Sequence, residues 1–317
     1  MKIHNLEVLG KISLSPMAGI SDSPYRRLCR KMGAAFSFTE FVSCDEISHF
    51  SKKALKLLEF KPEERPIWFQ IFGNNKQTIV KAAKLIEELE PDAIDLNMGC
   101  STSKVSQRGS GAGLLKKPLY VGQIIEEMVK SLRVPVTAKI RVGWDKNSLN
   151  YREIVHILQE SGISMISVHG RTKSMGYSGK ANWDIITEIK SFAKVPIWGN
   201  GDIQTYTEAL DKLATSKVDG VLIGRAAIGN PWVFSGIDKT NLSYPQIREV
   251  IFWHLSYMLE FYGEEQGIIL FRKHLSKYLN HLIFPEEIKY RLLNCKEREE
   301  LVGLLYDLEK FLLTKTY

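Results

Sequence analysis

Short apolar runs alternate with amphipathic stretches through the first 240 residues, the pattern of buried parallel strands that are each covered by a helix. Eight runs read as strands: Ile12–Pro16, Phe36–Thr39, Ile67–Phe72, Ala93–Asn97, Val136–Ile140, Met165–His169, Val195–Trp198 and Gly220–Ile223. Eight such units close a (β/α)8 TIM barrel. Between them Lys76–Leu89, Tyr120–Ser131, Tyr151–Glu160 and Thr205–Leu213 carry apolar residues at helical spacing, so each can lay one face on the sheet. After Pro231-Trp232-Val233-Phe234 the strand pattern stops, and residues 235–244 are polar, with Gly236 and Pro245 as breaks. That sets a boundary near residue 240. Beyond it Gln246–Tyr262, Ile268–Leu282, Pro285–Asn294 and Lys296–Leu313 read as helices, separated by Gly263, Gly267 and Pro285. The expected architecture is α/β: a TIM barrel over residues 1–240, then a small all-helical domain over 241–317.

Composition narrows the setting. A chain of 317 residues accommodates a barrel of about 250 residues with a smaller appendage. Cys29, Cys44, Cys100 and Cys295 show neither paired metal spacing nor the framework of a small secreted domain, so reduced thiols are expected, with no structural disulfide and no metal. Met1-Lys2-Ile3-His4-Asn5-Leu6-Glu7 is too polar for a signal peptide, and no later run approaches a membrane span. A soluble, cytoplasmic protein is expected, as a monomer. The formal charge of +7 and pI near 9.0 favour a polyanionic partner only weakly. From residue 241 onward ten Lys and Arg face eleven Asp and Glu, so the excess lies in the first part of the chain.

In a TIM barrel the C-terminal ends of the strands meet in one mouth. Here those ends carry Pro16-Met17-Ala18-Gly19, Thr39-Glu40, Gln70, Asn97 with Cys100, Lys139 with Arg141, His169 with Arg171, Asn200-Gly201-Asp202 and Gly224-Arg225. A lone cysteine also reads as a small buried apolar residue, but Cys100 follows Asn97-Met98-Gly99 where an apolar run gives way to Ser101, Thr102 and Ser103. That puts a thiol at a strand tip. Polar groups at nearly every tip need partners that a ligand can supply. Asn200-Gly201-Asp202 and Gly224-Arg225 follow the seventh and eighth strands, where such barrels commonly bind phosphate, and an arginine fork suits a phosphate monoester. Lys139 fits beside an electron-rich ring, where its charge would stabilise a reduced flavin anion; Gln70 can meet an imide edge with donor and acceptor together. His169 could touch the same ring or a substrate, and Pro16-Met17-Ala18 could lie against it.

Pro16-Met17-Ala18-Gly19, Gln70-Ile71-Phe72-Gly73, Asp95-Leu96-Asn97-Met98-Gly99-Cys100, Lys139-Ile140-Arg141, His169-Gly170-Arg171-Thr172, Asn200-Gly201-Asp202-Ile203 and Gly224-Arg225-Ala226-Ala227 resemble, in order, the motifs of the tRNA-dihydrouridine synthases. Arg272-Lys273-His274-Leu275 with Tyr278-Leu279 resembles the C-terminal helical domain of the bacterial B-type subgroup. The resemblance implies an FMN enzyme that uses NADPH or NADH to saturate the C5=C6 bond of uridines in the tRNA D-loop. It implies Cys100 as the acid that protonates C5 while hydride from flavin N5 reaches C6. An unperturbed thiol, with a pKa of about 8.5, holds its proton at neutral pH. Gln70, Lys139, His169 and Arg225 are implied contacts of FMN, with Asn200, Gly201, Asp202 and Gly224 near its phosphate or ribityl chain. Asn97, Arg141 and Arg171 are expected to face the substrate. Ser101 stands where the family usually has proline, which removes a fixed φ from the catalytic loop.

A uridine in folded tRNA must leave its stack to reach the bottom of a barrel. Lys104 matches a basic position of the family and is a candidate phosphate contact. Between Glu265 and Glu286 no acidic residue occurs, while Arg272, Lys273, His274, Lys277 and His281 fall along one expected helix. Cations on one side and Leu270, Leu275, Leu279 and Leu282 on the other would let this helix pack on the bundle and meet RNA. The alternative is an FMN-dependent enzyme of a free pyrimidine, which would not need the helical domain.

Overall fold

The computed structural model describes residues 2–4 and 6–314. All eight expected strands form: β1 (Ile12–Leu14), β2 (Ser37–Phe38), β3 (Ile67–Phe72), β4 (Ala93–Met98), β5 (Val136–Arg141), β6 (Met165–His169), β7 (Ile197–Asn200) and β8 (Gly220–Ile223). They pair in parallel in the order β1-β8-β7-β6-β5-β4-β3-β2. Between β1 and β2 the ladder is replaced by the Ser13 hydroxyl, which donates to Phe36 O and accepts the Phe36 N–H, both at 2.8 Å. The Ala35 N–H adds a bond to Ile12 O. A nearly closed eight-stranded barrel results.

Alternation along the strands divides the interior by height. At the N-terminal end Phe36, Phe38, Trp68, Trp198 and Leu222 form an aromatic plug with Ile3 and Val8, which come from the N-terminal segment. The Phe36 and Trp68 ring centroids are 4.2 Å apart. Above that plug the inward positions turn polar. Strand register sets Gln70 beside Asp95, Asp95 beside Thr137, Asn97 beside Lys139, Arg141 beside His169 and His169 beside Asn200. The same pairing that fills the floor with rings therefore gathers the polar side chains at the mouth.

The outer helices are α1 (Ser23–Lys31), α2 (Lys76–Glu87), α3 (Pro118–Ser131), α4 (Tyr151–Glu160), α5 (Trp183–Phe192) and α6 (Tyr206–Ser216), with short helices at Cys44–Ser48 and Lys52–Lys56. The sequence pattern does not mark α1, because its inward face includes Arg26. That guanidinium is buried and satisfied by Glu64 at 2.6 Å and the carbonyls of Ser21 and Glu59. Asp22 caps the helix by accepting the Tyr25 N–H.

The C-terminal segment is helical: α7 (Tyr244–Tyr262), α8 (Glu264–Tyr278), α9 (Glu286–Asn294) and α10 (Arg298–Thr314). The second of these differs from the expected Ile268–Leu282. Gly263, at φ +79°, turns the chain directly into α8 at Glu264, and the helix ends at Tyr278. Helices α7 and α8 pack on α1: Arg27 lies over the Tyr257 ring at 4.0 Å and pairs with Glu260 at 2.7 Å, and one hydrophobic cluster runs without interruption from the barrel into the helices. Among the described residues no helix is long and apolar enough to cross a membrane.

Candidate active site

Asp95 is the base of the site. It is fully buried on β4 and accepts from Thr137 Oγ1 at 2.6 Å and Gln70 Nε2 at 2.8 Å. Burial pushes its pKa up to about 6, against those two hydrogen bonds and the charge of Lys139. With its amide nitrogen committed to Asp95, Gln70 turns its Oε1 to Asn97 Nδ2 at 2.8 Å. Asn97 Oδ1 then accepts the N–H groups of Gly99 at 3.1 Å and Cys100 at 2.9 Å. The thiol is thus placed by a chain of side chains that begins two strand positions earlier. Cys100 Sγ lies 3.2 Å from Thr102 Oγ1 and is partly open to the mouth.

Lys139, on β5, reaches Asn200 Oδ1 at 3.1 Å, and Asn200 Nδ2 is held by Leu222 O at 2.8 Å. Burial first, and then the charge of Arg141, bring the Lys139 pKa down to about 8. Arg141 is buried and binds the carbonyls of Gly99, Thr172 and Gly176 at 2.7–2.9 Å. A longer contact of 3.3 Å joins it to Ser101 Oγ. The serine at this position therefore gives the loop after Cys100 a side-chain tether.

Arg171 is also buried. It binds Ser178 O and Gly179 O and donates to both oxygens of Asp202 at 2.8 Å. It sits 3.3 Å from His169 Nε2; arginine only donates, so Nε2 accepts and the ring proton lies on Nδ1. Burial, then the charges of Lys139, Arg141, Arg171 and Arg225, hold the His169 pKa well below its ordinary value, so this histidine is neutral. Burial raises the pKa of Asp202, but the Ala181 N–H and Arg171 overcome this and keep it below the usual range. Asp202 also pairs with the more exposed Arg225 at 3.5 Å, and Arg225 covers the Tyr177 ring at 4.8 Å.

These groups surround a cavity of about 420 Å³ at the C-terminal ends of the strands. Pro16, Met17, Ala18, Asn97, Cys100, Lys139, Arg141, His169, Arg171, Asn200, Gly201, Asp202, Gly224 and Arg225 all line it. Gln70 does not; it lies beneath, with both ends of its carboxamide engaged inside the protein. Gly201 has a packing reason for its identity: at φ +136° a Cβ would stand 2.4 Å from Ala181 Cβ. The Pro16–Gly19 loop is held at Gly19, whose N–H donates to Glu40 and whose carbonyl accepts from Lys273.

The model of the family described as dihydrouridine synthase matches residues 13–312. The chain belongs to the dihydrouridine synthase family. It is 37% identical to tRNA-dihydrouridine synthase B of Pasteurella multocida (strain Pm70), over the whole of both chains. It is 36% identical to the tRNA-dihydrouridine synthase B of Pseudomonas aeruginosa, over 88% of this chain and 86% of the relative. Among solved structures, a 2-naphthoyl-CoA reductase superposes with a TM-score of 0.58 at 12% identity over 74% of this chain, and a histamine dehydrogenase from Rhizobium sp. 4-9 with 0.58 at 11% over 87%. The chain spans half the length of each of those two, and the likeness concerns the fold.

The basic helix departs from the expected single cationic face. His274 and Tyr278 are fully buried, because they point into the contact of α8 with α1 and α7. Arg272 binds the carbonyls of Asn294 and Cys295 at the end of α9, and Lys273 is engaged by Gly19. Lys277 is exposed, and His281 lies beyond the end of α8. Lys104 is exposed on the short helix Ser103–Ser106, immediately after Cys100.

Asp95 and Tyr177 are site residues to which sequence reasoning gave no role, and Glu40 was read only as a polar strand tip. For Asp95 a signal exists, because it stands two positions before Asn97 and so faces the same side of a strand. Glu40 and Tyr177 acquire their places only through Gly19 and Arg225, distant in the chain.

Proposed function

We propose that this dihydrouridine synthase reduces the C5=C6 bond of uridines in the D-loop of tRNA, with FMN as its resident cofactor and NADPH or NADH as reductant. The carrying observation is Cys100, held by Asn97 at the edge of a cavity lined by Lys139, Arg141, Arg171 and Arg225. Four cations around a neutral histidine suit a ligand that bears a phosphate. Lys139 makes one hydrogen bond with three N–H groups, which leaves donors for the electron-rich edge of a flavin ring. The residues present therefore fit FMN: Lys139 and His169 at the ring, Asn200 and Gly201 along the ribityl chain, and Gly224 with Arg225 at the phosphate. Pro16, Met17 and Ala18 would lie against the ring. Asp202 serves this group by fixing Arg171 and Arg225, since a carboxylate repels phosphate.

When bound, FMN would supply hydride chemistry toward C6 of the uracil ring, with NADPH or NADH as the reductant. Cys100 Sγ holds the proton that C5 receives. Asn97 fixes the backbone from which that thiol projects, and Arg141 holds the Gly99 carbonyl beside it. Lys104, Lys277 and the outer surface of the C-terminal helices are the proposed tRNA phosphate contacts, with a boundary between the two functional units near residue 240. Arg272 and Lys273 serve the RNA surface by holding α9 and the first loop.

The test is mass-spectrometric mapping of dihydrouridine in tRNA from cells with and without the protein, alongside the absorbance spectrum of the purified chain. Loss of dihydrouridine at a defined D-loop position together with a flavin spectrum is the expected result. Turnover of free uracil or orotate in place of tRNA would overturn the substrate assignment.

A further inference from the structure

We propose that Asp22, His254 and His274 form a buried site for a divalent transition-metal ion of the zinc type, which clamps the barrel to the C-terminal helices. This site is separate from the cavity that holds Cys100 and does not depend on the proposed reaction. Asp22 caps α1 of the barrel, His254 lies in the middle of α7, and His274 lies on α8. All three are buried, and one ligand atom from each lies within 4.8 Å of the other two.

The second observation is a set of buried nitrogens that have no partner. His254 Nε2 and both ring nitrogens of His274 make no hydrogen bond, although each residue is fully buried. Buried polar atoms in folded proteins nearly always have partners, and here each of the two rings brings one nitrogen to within 4.8 Å of the same carboxylate. An imidazole nitrogen that donates no proton offers a lone pair to a metal, and the unpartnered nitrogens of both rings are free to do so. Each oxygen of Asp22 accepts one hydrogen bond, from the Tyr25 N–H and from Tyr262 Oη, both at 3.1 Å, so each retains a lone pair.

The surroundings match the support that ligating histidines receive. His254 Nδ1 lies 3.1 Å from Tyr278 Oη, which leaves Nε2 for the ion. Tyr25 packs on both imidazoles, with centroids 5.2 Å from His254 and 4.8 Å from His274, and Phe271 meets His254 edge-on. Two histidines and one carboxylate, closed from solvent, are a donor set for Zn²⁺, with one position left for a water. An ion holding its ligands at about 2.0–2.2 Å would draw the triangle closer together. Lys273 and Arg26 are the cations that face Asp22; Lys273 is engaged by Gly19 O and Arg26 by Glu64.

The full-length wild-type chain, stripped by a chelator, would be titrated with Zn²⁺ by calorimetry and with Co²⁺ by visible absorption. The expected result is one ion per chain, four-coordinate Co²⁺ bands and a thermal midpoint that rises when Zn²⁺ is returned. His254→Gln and His274→Gln should each abolish stoichiometric uptake, and Tyr278→Phe should weaken it by about 10–100-fold. If the histidine variants do not fold, Asp22→Asn reads the same loss, since asparagine also caps a helix. A wild-type chain that takes up neither metal would overturn the proposal and leave the nitrogens to bound water. Uptake that persists unchanged in a folded variant would overturn it equally.

Discussion

The side-chain oxygen of Asn97 accepts the backbone N–H of Cys100 at 2.9 Å. The same carboxamide donates to Gln70 at 2.8 Å, so one residue couples the buried base of the site to its thiol. In Asn97→Ala, Gln70 Oε1 loses its donor and the Gly99-Cys100 peptides lose their acceptor. Stability should fall by about 1–3 kcal/mol in urea unfolding. Turnover on tRNA should fall by at least about tenfold even where the variant is fully folded, because a misplaced acid loses its transition-state geometry. Full turnover would show that the thiol needs no such anchor.

Cys100→Ala removes the proposed proton donor and leaves the hydrogen bonds of Asn97 to the backbone in place. NADPH should still reduce the cofactor at the wild-type rate in stopped-flow absorbance. Formation of dihydrouridine should slow by about 10²–10⁴-fold, the usual range for losing a general acid. An unchanged product rate would assign the proton to another group.

Lys139 gives the site a pH dependence. Burial and Arg141 bring its pKa to about 8, so in the free protein it is charged below pH 8 and neutral above, whereas an unfolded lysine stays charged to about 10.4. The fold therefore carries the cost of a buried cation below pH 8 and is relieved of it as pH rises from about 8 to about 10.4. Affinity for an anionic ligand runs the opposite way. Binding of reduced FMN, followed by fluorescence without oxygen, should be flat below pH 8 and weaken by up to about tenfold per unit above it. Lys139→Arg should flatten that limb, and a wild-type profile without a limb near 8 would remove the charge from the role.

Gly229 is where the barrel meets α8. At φ +66° it presents its Cα to the backbone, and an added Cβ would lie 2.4 Å from Lys277 C and 2.6 Å from Tyr278 N. No flexible side chain is there to give way. Gly229→Ala should cost roughly 3 kcal/mol or more in chemical denaturation. A loss below about 1 kcal/mol would mean that α8 shifts freely on the barrel.

The barrel was legible because its strands are short apolar runs buried on both sides, and Ile67–Phe72, Met165–His169 and Gly220–Ile223 have the bounds their pattern predicts. Helix α1 was not legible, since a helix that buries Arg26 against Glu64 does not show a plain apolar face. The mouth residues were readable from their place at strand ends, and Cys100 from the loss of apolar residues after it. Whether a polar residue faces the cavity or supports it from beneath is fixed by partners in neighbouring strands, as Gln70 demonstrates. The same applies to the tail, where helical spacing groups Arg272, Lys273, His274 and Lys277. Only the packing on α1 shows that His274 is buried while Lys277 is free in the solvent.

The grip on Gly19 has a consequence for the birth of the molecule. Its peptide is held by Glu40 on one side and by Lys273 on the other, so the loop behind the first strand waits for a partner made near the end of translation. A nascent chain released only as far as residue 240 would carry every strand of the barrel yet leave the Tyr25 side of α1 uncovered and one side of that loop unheld. The last helices thus act as the closing step of assembly, and a ribosome that stalls before them leaves an unfinished mouth on an otherwise complete barrel.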